Sequence, residues 1–340
     1  MSDVRLAVLR CSGLTSLQDR GRHGYQRYGL SASGPMDPLG MAAANALVGN
    51  PIDATTVEFG LGGGVFRAEG GDLRIGLAGA LGAVRLDGAP VIGMRSFTLP
   101  AGAELEIASP REGAFGYLAV AGGVPAAPIL GSRALHLRAR IGGVRGRLLQ
   151  AGDAFAIVAE QNGRDHALDP IPLHRDEPIR VMLGPPEGHF SDQGRATLLD
   201  VSFTVTHHAD RMGYRLEGPR IGHGPGGGNI VSDGTAPGSI QVPGSGQPIV
   251  LMADRQTTGG YPKIATVISA DLRRLAQRRP GDSVRFREVD LAEAVAAARS
   301  LAATIRGLAS SLRDVATVEA KQLAGANLAG DAVDAFADPP

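Results

Sequence analysis

Short apolar runs interrupted by glycine and proline are the feature that most limits how this chain can fold. The 340 residues include 49 glycines and 22 prolines, whereas aromatic residues make up 4%. Runs such as VRLAVLR, LRIGLAG, ELEIAS, PIVLMAD and SVRFREV recur at intervals of about 8–12 residues, the spacing of a sandwich or barrel. Glycine and proline supply the backbone angles that tight turns between strands need. We therefore predict a mainly β protein with few helices.

The strand-like runs fall into two series on either side of a polar, proline-bearing stretch, QNGRDHALDPIPLHRDEP. Gly-Gly pairs and Gly-Asp turns recur in both series, which favours two related barrel-like lobes. A chance match in a glycine-rich chain is the alternative. We predict a first lobe over residues 1–160, a linker over 161–178, a second lobe over 179–289, and a helical tail over 290–340 whose end is disordered.

Two segments are typical of helices. Asp37 precedes Pro38–Leu47 (PLGMAAANAL), with aspartate suited to the N-cap and proline to the first helical position. The alanine-rich region after Asp290 spaces its larger apolar residues 4-3-4-3, which indicates an amphipathic helix. These residues are Leu301, Ile305, Leu308, Leu312 and Val315. We expect this helix to dock on a lobe, and a coiled-coil homodimer is the alternative.

Charge and composition argue against several classes of partner. The formal net charge is zero, so neither nucleic acid nor an anionic membrane is favoured. No apolar run approaches the ~18 residues of a membrane span, and the first residues lack the apolar core of a secretory signal. His207 and His208 are adjacent and would face opposite ways on a strand, so no metal site is predicted. We expect a cytoplasmic protein.

Lys263 is the most unusual charged residue in the sequence. Of the 34 basic residues, Lys263 and Lys321 are lysines and the rest are arginines. Lys263 follows a turn rich in glycine and hydroxyl groups, TTGGYP, where a compact, flexible point charge could contact a carboxylate, carbonyl or phosphate oxygen. A solvated loop lysine is the alternative interpretation.

The residues around Lys263 could serve one site. The turn offers hydroxyls and exposed backbone amides to a negative oxygen, and the amide of Gln241 suits a lactam or urea-like group. Asp254 and Asp233 could orient the lysine or act as a base. The glycine-rich GPGGGNI lacks the lysine of a P-loop and is interpreted as a turn. The predicted catalytic residues are Lys263, Asp254 and Asp233, and the predicted substrate-binding residues are Gln241, Thr257, Thr258, Gly259, Gly260, Tyr261, Arg211, Gln18 and Asp19.

Several longer motifs carry a resemblance to a known family. They are SLQDRGRHGYQRYGLSASGPMD, AANALVGN, YLAVAGG, DRMGYRLEG and SDGTAPGSIQVPGSGQPIVLMADRQTTGGYPKIATVI. Together they resemble the biotin-dependent carboxyltransferase family, over roughly Val4 to Val289. The family includes the KipA-type subunit of bacterial 5-oxoprolinase and the carboxyltransferase part of urea carboxylase. The resemblance implies two cyclophilin-like β-barrel lobes.

The resemblance also implies partners and a shared reaction. Such chains work with two other proteins, a KipI-like B subunit plus a LamB/YcsF-like A subunit, to open 5-oxoproline to glutamate with ATP, which we expect to be shared with a partner. Neither lysine lies in the Ala-Met-Lys-Met context of biotin attachment, so we expect no covalent biotin on this chain and no activity by the chain alone. One alternative is a carboxyltransferase moving a carboxyl group from carboxybiotin on another protein to urea or a related amide. Another is a non-enzymatic regulatory partner of a KipI-like kinase inhibitor.

Overall fold

The first half of the chain forms two β-sheets. The computed structural model describes residues 4–158, 161–184 and 188–315. The six-stranded sheet contains, in spatial order, Ala154–Ala156 (β11), Arg5–Cys11 (β1), Gly64–Glu69 (β4), Glu104–Ile107 (β9), Val84–Leu86 (β6) and Ala89–Val91 (β7). The seven-stranded sheet contains Ser16–Gln18 (β2), Thr56–Gly60 (β3), Phe115–Val120 (β10), Leu73–Gly79 (β5), Arg95–Leu99 (β8), His166–Ala167 (β12) and Arg313–Asp314 (β23).

One apolar core lies between these two sheets. Leu6 and Phe66 enter it from the six-stranded sheet, and Phe59 and Leu77 enter it from the seven-stranded sheet. The Phe59 and Phe66 rings meet edge to face with centroids 5.7 Å apart, a favourable aromatic geometry. Burial alternates along β4, as the period of two in a strand requires. The first lobe is therefore a sandwich.

The second lobe is a single eight-stranded sheet that nearly closes on itself. Its spatial order is Ser283–Val284 (β21), Phe203–Ala209 (β14), Gly213–Glu217 (β15), Ile249–Leu251 (β18), Ser239–Gln241 (β17), Lys263–Val267 (β20), Ile179–Leu183 (β13) and Phe286–Glu288 (β22). The two end strands, β21 and β22, are separated in the chain by Arg285 alone, so the sheet curls into a barrel. A two-stranded ribbon of Asp233–Gly234 (β16) and Thr258–Gly259 (β19) lies beside it.

Helices are few, and the first lies under the join between the lobes. Helix α1, Pro38–Leu47, begins where the Asp37 side chain accepts hydrogen bonds from the amides of Leu39 and Gly40, which confirms the predicted N-cap. Small alanines let α1 pack closely on β5 and β10 while its other side joins the core of the barrel. The remaining short helices are Asp192–Asp200 (α2), Leu272–Ala276 (α3) and the 3-10 turns Gln26–Tyr28 and Leu308–Ser311.

The C-terminal helix α4 spans Leu291–Gly307 and is capped by Asp290. It docks as expected: Leu308 is buried, and Leu301 and Ile305 pack against the same core. The predicted helix was too long, because a 3-10 turn follows Gly307 and β23 then pairs with β12. Leu312 and Val315 therefore lie beyond the helix. The predicted disordered end lies outside the described residues.

The mainly β architecture with few helices and a C-terminal helix is confirmed. The term cyclophilin-like and the bounds of the four predicted segments stay predictions, and the segment predicted as a linker contributes β12 to the seven-stranded sheet. Within the described ranges, none of the helices combines the length and apolarity that crossing a bilayer requires.

Asp271 joins the barrel to α3 and gives the fold a defined acid sensitivity. Its carboxylate accepts hydrogen bonds from the amide and guanidinium of Arg180 and from Arg274. Although burial opposes ionisation, the hydrogen bonds from Arg180 and the charge of Arg274 lower the pKa of Asp271. The folded state therefore binds the proton less readily than the unfolded state, so this stabilisation exists above the unfolded pKa and is lost as pH falls through the folded one.

We expect Asp271→Asn to lower the free energy of unfolding by about 1.5–3 kcal/mol at pH 7. The difference from the wild-type chain should shrink below about pH 4, where an aspartate of the unfolded chain takes up its proton. Urea unfolding between pH 3 and pH 8 measures both quantities. Asp169→Asn is the matched control, because the Asp169 side chain is 82% exposed. A deficit that stays constant down to pH 3 would contradict the assignment.

Candidate active site

A row of four side chains crosses the outer face of the barrel. In the strand registers Arg215 pairs with Ile249, Ile249 pairs with Gln241, and Gln241 pairs with Lys263. Directly paired residues of antiparallel strands point to the same side of a sheet. The row lies outside because the neighbouring residues fill the barrel core; these are Tyr214, Val250, Ile240 and Ile264. The sheet thus holds a cation, an apolar residue, an amide and a second cation in sequence on β15, β18, β17 and β20.

The ribbon beside the barrel completes the surroundings of Lys263. Asp233 pairs with Gly259 across the ribbon, and the ammonium of Lys263 donates to Asp233 Oδ2 at 2.9 Å. This hydrogen bond lowers the pKa of Asp233, which is therefore ionised at neutral pH. The Asp233 side chain is 67% exposed. The structure thus brings together Lys263, Asp233, Thr258 and Gly259, as predicted from the sequence.

Gln241 presents a buried amide whose nitrogen has no hydrogen-bond partner among the described residues. The residue is 2% exposed, and its Oε1 accepts from Gln256 Nε2 at 3.2 Å. Its Nε2 has no partner within the described part of the chain. The backbone of Gly259 lies against this nitrogen, since a Cβ at position 259 would stand 2.4 Å from it. A buried donor left unpaired is costly, so Nε2 is a candidate to bind a ligand oxygen.

A groove of about 490 Å³ is lined by three of the four residues of this row, Arg215, Ile249 and Gln241. Its lining includes Gln241, Gln256, Tyr261, Arg215 and His208. Tyr261 is 40% exposed at its edge. The volume is within the range of small-molecule sites, which combine apolar walls with a few polar groups.

The backbone of the turn is fixed by its neighbours. The carbonyl of Thr257 accepts from the Thr235 amide, and the carbonyl of Gly260 accepts from the Ile230 amide. Ile230 belongs to the GPGGGNI segment, in which the amides of Gly224 and Gly226 donate to backbone carbonyls. This agrees with the interpretation of GPGGGNI as a turn.

Arg211 and Asp254 lie away from Lys263, in a buried cluster between the lobes. Arg211 donates to both carboxylate oxygens of Asp254 at 3.0 Å, to Glu58 Oε1 at 2.5 Å and to the Gly34 carbonyl at 2.7 Å. The expected contact between Asp254 and Lys263 is not formed. Both Asp254 oxygens accept hydrogen bonds from Arg211, and the Lys263 ammonium donates to Asp233 instead. Although burial opposes its charge, Asp254 and Glu58 raise the pKa of Arg211.

The cluster continues through Glu58 and Tyr117, which the sequence did not single out, and nearby Asp37 forms further buried contacts. Glu58 Oε2 accepts from the Tyr117 hydroxyl at 2.8 Å, and burial raises the pKa of Glu58. Asp37 accepts from Arg273 and Gln277 in addition to capping α1. Glu58 could have been found from the sequence. It is the one acid in the apolar strand TVEFG, and a buried acid needs a partner of opposite charge.

Gln18 and Asp19 are placed in the first lobe, where they hold a loop. Asp19 accepts from Ser132 Oγ and the Arg133 amide at 2.6 Å, while Gln18 Nε2 donates to the Leu135 carbonyl. They have no hydrogen bond to the turn near Lys263.

The first lobe reaches the turn through Gln26 instead. Gln26 Nε2 donates to the Thr235 carbonyl at 2.8 Å and its Oε1 accepts from Arg255 Nη2 at 2.9 Å. Gln26, Arg255 and Gln256 were missed, although the last two follow Asp254 directly in the sequence. Among the residues described, no group of three or more His, Cys, Asp or Glu could hold a metal ion.

Gly259→Ala tests the position of the Gln241 amide. The new methyl group would displace Nε2, the mobile end of a side chain, so stability should change by less than about 1 kcal/mol. If Nε2 binds substrate, kcat/KM should fall roughly 10- to 100-fold. Gly234→Ala is the control, because position 234 lies on the same ribbon with nothing near its Cβ. Steady-state kinetics and thermal unfolding measure the two effects, and unchanged kinetics would exclude Nε2 from binding.

The chain thus joins a sandwich to a nearly closed barrel, and the barrel carries a polar row and a groove. Residues 28–288 match the carboxyltransferase domain, subdomains A and B. The chain therefore belongs to this family, which confirms the resemblance seen in its motifs.

Proteins similar to this chain include C subunits of 5-oxoprolinase and a urea carboxylase. The chain is 39% identical over 294 residues to the C subunit of 5-oxoprolinase from Haemophilus influenzae, covering 84% of this chain and 92% of that protein. It is 37% identical over 292 residues to the C subunit of 5-oxoprolinase from Escherichia coli, covering 86% and 94%. The crystal structure of Kluyveromyces lactis urea carboxylase superposes with a TM-score of 0.81 at 26% identity, over 92% of this chain and 30% of that one.

Proposed function

We propose that this chain is the C subunit of an ATP-dependent 5-oxoprolinase. The observation that supports the proposal is how much of each relative's length this chain matches: it spans 92% and 94% of two 5-oxoprolinase C subunits. It spans 23% of a putative urea carboxylase from Emericella nidulans, to which it is 35% identical. A chain that matches a free-standing subunit nearly end to end is better assigned to that subunit's complex than to one segment of a larger enzyme.

The proposed reaction starts from the poor electrophilicity of a lactam. The carbonyl oxygen of 5-oxoproline attacks the γ-phosphorus of ATP, ADP leaves, and the ring N–H proton passes to a base. Water then adds to the resulting imidoyl phosphate and the ring C–N bond breaks, which leaves an acyl phosphate. A second water releases phosphate and glutamate. The first step places negative charge near the carbonyl oxygen, where a fixed cation and hydrogen-bond donors stabilise it.

In this proposal the residues of the outer row supply that stabilisation. Lys263 neutralises charge on the phosphoryl group as it joins the carbonyl oxygen, and Gln241 Nε2 donates to the lactam. Thr257, Thr258, Gly259 and Gly260 shape the turn around the same oxygen, with Tyr261 at the edge of the groove. Asp233 holds Lys263 before substrate binds and is a candidate proton acceptor.

Four of the residues predicted for the site take supporting positions. Asp254 and Arg211 join the two lobes, and Gln18 and Asp19 hold the loop around Ser132. We propose that they keep the surroundings of the site in place and do not contact substrate.

The proposal assigns the remaining steps to partner proteins. Both lysines lie outside a P-loop sequence, since Lys263 occurs in YPKIA and Lys321 in EAKQL. We propose that a KipI-like B subunit shares the ATP site and that a LamB/YcsF-like A subunit finishes ring opening. The same two sequence contexts differ from a biotin-attachment motif, so the proposed chemistry uses no biotin on this chain.

Reconstitution tests the proposal. The chain, mixed with its A and B partners, is expected to form glutamate from 5-oxoproline only when ATP is present, and each protein alone should form none. The same mixture is assayed with urea and guanidine in the presence of a carboxybiotin donor. Carboxylation of urea without glutamate formation would favour the carboxyltransferase alternative, which the 35% identity to a putative urea carboxylase supports.

A further inference from the structure

We infer that Arg215 binds the carboxylate of the substrate and thereby selects a carboxylated lactam over a neutral amide. The inference rests on the proposed function and adds a specificity-determining residue to it. Arg215 lies on β15, outside the segment around Lys263, and lines the same groove as Gln241 and Tyr261.

The strand registers place Arg215 at a useful separation from Gln241. The two residues lie in one row with Ile249 between them. Adjacent strands are about 4.8 Å apart, so their backbones are separated by about 10 Å. A long arginine side chain can cover Ile249 with its methylene groups and bring its guanidinium towards the amide. A small ring with an amide at one side and a carboxylate at the other fits between them.

The charges around the groove leave Arg215 available. Arg215 is exposed, and its guanidinium makes no hydrogen bond or ion pair with another described residue. Asp210 also lines the groove, but its Oδ1 accepts from the amides of Met212 and Gly213. Glu217 borders the adjoining groove, while His207, His208 and Tyr261 are the remaining titratable groups of this one.

An exposed arginine is ordinarily a solvated charge. What distinguishes Arg215 is the buried, unpartnered Nε2 of Gln241 in the same row and the same groove. Two hydrogen-bond donors that suit different acceptors, a carbonyl oxygen and an anion, therefore belong to residues that line one groove. A guanidinium binds a carboxylate with two parallel hydrogen bonds, which provides both affinity and orientation. Urea has no carboxylate and would gain nothing from it.

The experiment compares Arg215→Gln with the wild type in the assembled complex of this chain with its A and B partners. The KM for 5-oxoproline should rise roughly 10- to 100-fold, with kcat changed by less than about threefold. A neutral analogue, 5-oxoprolinamide, is measured as a competitive inhibitor. Its inhibition constant should be the same in both proteins, because the lost group is the partner of the carboxylate. Arg215→Lys should give an intermediate KM, and Arg306→Gln, at an exposed arginine on α4, should change neither constant.

The failures of the two proposals are distinguishable. If the wild-type complex forms no glutamate from 5-oxoproline with ATP, the proposed function fails. If the wild type is active and Arg215→Gln leaves the KM for 5-oxoproline unchanged, or weakens the neutral analogue equally, the assignment of Arg215 is overturned while the function stands.

Discussion

Replacing Arg211 with methionine is expected to lower the free energy of unfolding by about 3–5 kcal/mol. The guanidinium neutralises two carboxylates at once, with Glu58 fully buried and Asp254 3% exposed. Methionine has a similar length but leaves both acids in a low-dielectric environment without a counter-charge. The penalty comes mainly from that uncompensated charge, since a buried ion pair contributes little beyond its own desolvation.

The loss of stability in Arg211→Met should increase with pH, and this direction points to Glu58 as the titrating group. Burial raises the pKa of Glu58 above its unfolded value even with Arg211 present. Without Arg211, the folded state holds the Glu58 proton to higher pH than the unfolded state does, so stability falls as pH rises. Arg211→Met should therefore be less stable at pH 8 than at pH 5 relative to the wild type.

The same substitution should loosen the contact between the lobes. Glu58 belongs to the sandwich, whereas Arg211 and Asp254 belong to the barrel, and Arg211 also donates to the Gly34 carbonyl of the first lobe. Urea unfolding and amide hydrogen exchange at β3 and β15 measure the effect. Arg306→Gln serves as the control for loss of an exposed arginine, and Arg211→Met combined with Glu58→Gln and Asp254→Asn should recover part of the stability. A shift below about 1 kcal/mol would show that the cluster is not what joins the lobes.

The strand pattern was the most predictable part of this molecule. Local signals determine it, because glycine and proline mark the turns and aspartate followed by proline marks the start of α1. The end of α4 was less predictable. Leu312 continues the apolar spacing, but β23 forms only because β12, over a hundred residues earlier in the chain, offers its edge. Such a long-range pairing leaves no local sequence signal.

The candidate site was predictable in part for the same reason. Lys263, Gly259 and Thr258 are close in sequence, so a local turn brings them together. Arg211 was recognised as a residue with a special role, but its role depended on Glu58, a residue 153 positions away. Asp254 and Asp233 were equally plausible partners for Lys263 by composition. The pairing of β16 with β19 determines which aspartate binds Lys263, because it places Asp233 next to the ammonium.

Replacing Lys263 with methionine is expected to reduce kcat/KM of the reconstituted oxoprolinase by roughly 100- to 1000-fold. In the proposed reaction the transferred phosphoryl group brings negative charge next to the carbonyl oxygen, and a positioned cation stabilises that charge more in the transition state than in the ground state. Methionine keeps an unbranched stem of similar length and removes the charge. The stability of the fold should change by less than about 1 kcal/mol, because Lys263 is paired only with a largely exposed carboxylate.

The weak ion pair is what makes Lys263 suitable for this role. The ammonium donates to Asp233 at 2.9 Å, yet solvent screens the pair, so a substrate oxygen can replace the carboxylate at little cost. Asp233→Asn should therefore reduce activity less than Lys263→Met does. Lys263→Arg should restore only part of the activity, since a planar guanidinium cannot replace a compact ammonium in the same space.

The second lysine of the chain provides the matched control. Lys321 lies outside the described residues, and Lys321→Met removes the same charge while leaving the sequence of the turn unchanged. Glutamate formation and ATP hydrolysis are measured for both variants in the complete complex, because loss of both together places Lys263 in the phosphorylation step. If ATP hydrolysis persists while glutamate formation stops, Lys263 acts after activation. If Lys263→Met keeps the wild-type kcat/KM, the lysine has no part in catalysis, and the turn around it serves the fold alone.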